Sequence, residues 1–195
     1  MRLFVIPEDF RHAQYILKPI FKKMLAHLGR RGKVEVCKHR LLGGVEEALK
    51  PENILPIIQD RKGMYQVLVL VVDRDANATR HQRLTNLEQA AQAEFPGVCF
   101  IASQAIEECE TWLLAGLDLP AGDDWRWSDI RADRDPKEHY LRPLVEDRGL
   151  QGAAGEGREP LARDIDYGRM RTLCDELQAI EQRITACLTP PSSTP

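Results

Sequence analysis

Residues 67–75 read VLVLVVDRD, and the fold turns on this stretch. Six consecutive apolar residues, most of them β-branched, suit a strand buried on both faces in the middle of a parallel sheet. The run stops at two aspartates, Asp73 and Asp75. Ligands of open α/β sheets bind just beyond the carboxyl ends of the strands, so these carboxylates stand where chemistry is expected. Residues two apart on a strand face the same way, which points both carboxylates to one side if the strand continues through Asp75.

Working outward, residues 2–7 form a first strand that Pro7 ends immediately before Glu8 and Asp9. Apolar residues then recur at helical spacing from about His12 to Leu28, with Pro19 marking a kink and Gly29 the end. A short strand is expected at Val34–Cys37, then helical sequence over 45–61 broken near Pro51 and Pro56. Beyond the aspartates, Asn77 or Thr79 can cap a helix over Arg80–Glu94 that Phe95-Pro96-Gly97 closes. A fourth strand at Val98–Ala102 and a helix at Gln104–Gly116 follow, and on that helix Glu107 and Glu110 would share a face. The alternation of strands and helices argues an α/β fold, a mostly parallel four-stranded sheet flanked by helices.

The composition changes near residue 118, where Pro120, Gly122 and Trp125-Arg126-Trp127 interrupt the pattern. This divides the chain into an α/β core over 1–117, a mostly helical extension over 118–188 packed on it, and a disordered tail over 189–195. In the extension, Asp135-Pro136 starts a helix carrying Lys137, residues 149–157 form a glycine-rich loop without the ending of a P-loop, and Met170–Leu188 forms a final amphipathic helix.

With 195 residues, 43% hydrophobic and 29% charged, the chain has the makeup of a globular domain rather than a fibrous or disordered one. A net charge of −3 gives no global attraction for nucleic acid, although Arg30, Arg31, Lys33, Lys38 and Arg40 form a local basic cluster. No apolar run approaches membrane-spanning length, and the expected location is the cytoplasm. The five cysteines form no metal-ligand spacing and are expected as reduced core thiols.

Carboxylates beyond several strand ends of one parallel sheet can converge: Glu8 after the first strand, Asp73 and Asp75 after the third, Glu110 beyond the fourth. Such a group suits a hard divalent cation, Mg2+ or Mn2+, which keeps coordination positions for phosphate oxygens and an attacking water. His12 is placed to exchange protons beside Glu8, and Lys137, at a helix start, to neutralise charge on a phosphate. Asp9 and Glu107 are secondary candidates, Asp9 also suiting a helix cap, while Trp112 suits the core.

The stretches VIPEDFRHAQYIL, VVDRD and IEECETWLLAG, a glutamate after the first strand, an Asp-x-Asp after the third and a Glu-x-Trp segment beyond the fourth, resemble the TOPRIM superfamily. This superfamily is found in topoisomerases, bacterial primases and the overcoming-lysogenization-defect nucleases. The likeness covers residues 2–116 and is closest to uncharacterised bacterial TOPRIM-like proteins, some of them associated with phage defence. It implies a Rossmann-like core, Asp73, Asp75, Glu110 and Glu8 as metal ligands, Glu8 as a catalytic group, and phosphodiester chemistry of a nuclease on DNA or RNA. A non-catalytic module binding nucleic acid or a partner protein encoded nearby is the other role it allows, and a homodimer is compatible with either. Many members carry glycine directly after the first glutamate and a second acidic residue four positions on; Asp9 and His12 stand at those places here.

Overall fold

The computed structural model describes residues 1–39 and 42–189. Its centre is β3 (Val67–Asp73), six of whose seven residues are buried, as a strand covered on both faces requires. Around it stand β1 (Arg2–Pro7), β2 (Lys33–Val36) and β4 (Phe100–Ala105) in the order β2-β1-β3-β4. All three pairings are parallel. The chain leaves β1 for β2 on one side and later adds β3 on the other, so the sheet reverses its winding between β1 and β3. That is where open α/β sheets leave a crevice at the strands' carboxyl ends.

Alternation along the strands sorts the side chains into two cores. Leu3, Val5, Val67, Val69 and Val71 face α1 (Phe10–His27). Phe4, Ile6, Leu68, Leu70 and Val72 face the other way. There they meet α3 (Pro51–Arg61), which follows the single turn α2 (Val45–Ala48), and α4 (Arg80–Glu94). Pro51 begins α3 at a position where its missing N–H costs nothing. Pro56 and Pro19 are accommodated inside α3 and α1.

Two expectations fail after β3. The strand ends at Asp73, and Asp75 and Ala76 follow with φ of 47° and 53°, so the alternation that would have put Asp73 and Asp75 on one side is lost. The fourth strand lies later than expected, pairing through Gln104 and Ala105 with Val72 and Asp73. Residues 106–108 are then spent on a turn, and α5 (Cys109–Ala115) starts only at Cys109. Glu107 and Glu110 therefore share no helix face.

The C-terminal part is α6 (Trp127–Ala132), a π-helical turn at Lys137–Leu141 leading into α7 (Arg142–Asp147), then α8 (Arg158–Arg163), α9 (Tyr167–Leu173) and α10 (Asp175–Leu188). The single final helix expected from Met170 is thus two, separated at Cys174, whose backbone is extended. Gln178 Nε2 donates to the Arg171 carbonyl beside that break at 2.8 Å. The apolar spacing runs on through the interruption because both pieces press on the same core, which α5 and the C-terminal helices share with the sheet.

Cys99 and Cys187 form a disulfide with Cα atoms 5.9 Å apart, which corrects the expectation of five reduced thiols. A pairing across 88 residues leaves no spacing signature, because it depends on α10 ending beside the start of β4. Cys37, Cys109 and Cys174 are free and buried. Of the expected disordered tail, 189–195, all but Thr189 lies outside the described residues, as does Arg40 of the basic cluster. Among the described residues no helix is long and apolar enough to cross a membrane.

Candidate metal centre

Glu8, Asp73 and Glu108 leave the backbone at three neighbouring points around the β1–β3 crevice. Glu8 follows β1 directly, its N–H still bonded to the Val71 carbonyl at 3.2 Å. Asp73 is the last residue of β3, and Glu108 immediately precedes α5. Each carboxylate gives one oxygen to a backbone N–H of a different segment. Asp73 N–H donates to Glu8 Oε2 at 3.0 Å, Cys109 N–H to Asp73 Oδ1 at 2.8 Å, and Lys137 N–H to Glu108 Oε2 at 3.0 Å. The second oxygen of each accepts no hydrogen bond among the described residues. These carboxylates line a hollow of about 170 Å³ together with Asp9, His12, Glu110, Lys137 and Arg158. Larger hollows exist, as between β2 and α3, but the acidic groups gather here.

Glu110 is held rather than free. Arg158 donates to its Oε1 from Nε at 2.9 Å and from Nη2 at 2.7 Å, and both side chains are almost fully buried. Cys109 Sγ donates to Glu110 Oε2 at 3.3 Å. Asp9 caps α1, accepting from Arg11 N–H at 2.9 Å. His12 is half exposed, with Nδ1 3.9 Å from Glu156. Lys137 stands in the π-helical turn, its ammonium 3.7 Å from Glu138.

Two of the sequence candidates stand apart from the hollow. Asp75 is half exposed and pairs with Arg80 Nη1 at 3.0 Å; it lies outside the hollow's lining, close enough for its charge to act on Glu8. Glu107 is buried and turned toward the β3–α4 connection, where Arg74 and the Ala76 N–H bond its carboxylate. It secures the left-handed turn at Asp75 and Ala76. Glu108 and Arg158 escaped the reading of the sequence. The signal for Glu108 was its place one residue before a helix start, hidden by beginning that helix at Gln104. Arg158 opens a six-residue helix after a glycine-rich loop, and no local pattern marks it.

Burial dominates the electrostatics, and crowding of like charge adds to it. Burial, with the charges of Asp75 and Asp9, pushes the Glu8 carboxyl up to about 7 against the pull of the Asp73 N–H and Arg80. Burial and the charge of Glu110 push Glu108 up to about 7. Asp73 rises well above the usual carboxylate range, from burial and from Glu8 and Glu110. Burial likewise holds the Cys109 thiol far above its ordinary value, so Cys109 is a neutral S–H donor rather than a thiolate ligand.

Donor atoms of Asp73, Cys109 and Glu110 all lie within 4.8 Å of one another. With the thiol neutral, the donors left are carboxylate oxygens, a set that fits a hard cation such as Mg2+ or Mn2+ and not a soft one. Within that close set Asp73 would hold it, and Glu110, tied to Arg158, closes the inner wall; Glu8 and Glu108, outside the set, line the same hollow. No protein-family model matches the chain, and neither a curated protein nor a solved structure does.

Proposed function

We propose that this protein binds Mg2+ or Mn2+ in the hollow at the β1–β3 crevice and hydrolyses phosphodiesters of nucleic acid there, in the manner of TOPRIM-type nucleases. One observation carries the reading. Glu8, Asp73 and Glu108 are each anchored through one oxygen to a backbone N–H of another segment, and the other oxygen is left to the hollow.

A bound ion would polarise the phosphodiester and lower the pKa of a coordinated water. The chain's own groups do the rest. Glu8 accepts the proton of the attacking water, a task suited to a carboxyl that titrates near neutral pH. Lys137, which lines the same hollow, binds a phosphate oxygen. Arg158 holds Glu110 in place through two hydrogen bonds without itself reaching the reacting atoms.

Titration calorimetry with Mg2+ and Mn2+, paired with cleavage of labelled single- and double-stranded DNA and RNA, tests this. We expect metal binding in the wild type and at least a tenfold loss in Asp73→Asn, with cleavage that needs the metal. Absence of metal binding would sink the proposal. Metal binding without cleavage of any of the four substrates would leave a metal-binding accessory module in its place.

A further inference from the structure

Two helices that wall the acidic hollow at their first turns continue past it as the walls of a second one. His12 of α1 and Arg158 of α8 line the acidic hollow. Further along the same helices, Tyr15, Lys18 and Lys22 face Ala162 and Arg163 across a groove of about 500 Å³. The charge changes sign on the way. Four cations line the groove, Lys18, Lys22, Lys23 and Arg163, against the single carboxylate Glu159.

The cations are differently engaged. Lys23 Nζ donates to the Ile165 carbonyl at 2.7 Å, and Arg163 pairs with Glu159 at 2.9 Å. Lys18 and Lys22 are exposed. One helical turn apart, they are offset by about 6 Å along the axis, of the order of the spacing between neighbouring phosphates of a strand. The groove also holds an aromatic ring and a flat imino acid, Tyr15 and Pro19. Tyr15 is fixed from behind by the 149–157 loop: a Cβ at Gly155 would sit 2.5 Å from its ring. A positive track with an aromatic face is the equipment with which single-stranded nucleic acid is bound without regard to sequence.

We infer that the α1–α8 groove binds a single-stranded nucleic acid by its phosphates, Lys18 and Lys22 contacting neighbouring phosphates and Tyr15 stacking on a base. The strand then runs from the groove toward Lys137 and the acidic hollow. The inference rests on the proposed function only in taking that hollow as the strand's destination; binding in the groove requires no metal.

The test is fluorescence anisotropy with a labelled oligothymidylate of about 20 nucleotides, in EDTA so that no cleavage intervenes, over a range of salt. Lys18→Gln/Lys22→Gln changes two exposed side chains and leaves the Lys23 and Glu159 contacts intact. We expect it to weaken binding by about tenfold at low salt. It should also flatten the slope of log K against log salt by about 1.4, two lost phosphate contacts at about 0.7 each. Tyr15→Ala should weaken binding without changing the slope. Unchanged affinity and slope in the lysine variant, no binding by the wild type, or tighter binding of a duplex of equal length would each overturn the inference. Lysine-dependent binding in a protein without metal affinity would keep the groove and remove the metal centre; metal binding with lysine-independent association would do the reverse.

Discussion

Glu8, Glu108 and Asp73 give the stability of the metal-free protein an unusual pH dependence. A carboxyl whose pKa is raised on folding holds its proton more tightly in the folded state. The unfolded chain ionises first, from about 4.5 for the glutamates, while folded Glu8 and Glu108 wait until about 7. The favourable contribution is therefore complete below about 4.5 and is lost as pH rises through about 7. Asp73 acts in the same direction. We expect the denaturation midpoint in EDTA to be lower at pH 8 than at pH 5.5, and the difference to shrink in Asp73→Asn and when Mg2+ is added at pH 8. A midpoint rising with pH in EDTA would contradict the burial and crowding of these three groups. At this scale the sequence was legible wherever an acid ended an apolar run: Glu8 and Asp73 are announced by LFVIP and VLVLVV. The placing of Asp75 outside the hollow was not legible, because nothing in Asp-Arg-Asp shows that the backbone turns left-handed at the second aspartate. Arg158 could not be found, since its role exists only where two distant helices meet.

The Glu110–Arg158 pair is a tie between elements, joining the first turn of α5 to the first residue of α8. Both partners are nearly inaccessible to water, so removing one leaves the other as an uncompensated buried charge, at about 3–5 kcal/mol. We expect Arg158→Ala to lose roughly that much in chemical denaturation, and Arg158→Met combined with Glu110→Gln to recover much of it. A loss of a few tenths for the single variant would show that the pair is solvated. On the far side of the sheet the same logic protects an edge. The Ala102 N–H of β4 donates to Glu88 Oε1 at 2.5 Å, and its carbonyl accepts from Arg183 Nη1 at 3.2 Å. Side chains of α4 and α10 thereby occupy ladder positions that would otherwise be open to another strand. Elements with long, clean periods were legible: the limits of α4, Arg80–Glu94, are those its sequence announces. The start of α5 was not, because Gln104–Glu108 fits a helical pattern as well as it fits a strand end and turn, and pairing with β3 decides between them.

For the molecule as a whole, the division near residue 118 that composition suggests is not a division of the core. Leu141, Leu144, Leu161 and Ile180 belong to the same apolar cluster as Val5 and Val69. The Cys99–Cys187 bond closes this arrangement covalently over 88 residues. By loop-closure entropy such a bond is worth up to about 4.6 kcal/mol, and we expect a dithiol reductant or Cys187→Ser to lower the denaturation midpoint accordingly. Equal midpoints with and without reductant would mean that the bond constrains nothing the fold does not already hold. Parallel sheet and flanking helices follow from patterns in the sequence; the strand order and the disulfide do not, since only the finished packing sets strand neighbours and brings the two cysteines together.

That bond also divides the acidic hollow by topology. Glu108, Glu110, Lys137 and Arg158 lie inside the covalent ring that runs from Cys99 to Cys187, and Glu8 and Asp73 lie outside it. The hollow is thus a seam between a closed loop and an open arm of one chain. Unfolding can part its two walls while the ring stays intact, so the wall carrying Lys137 and Arg158 keeps a tether that the wall carrying Glu8 and Asp73 lacks.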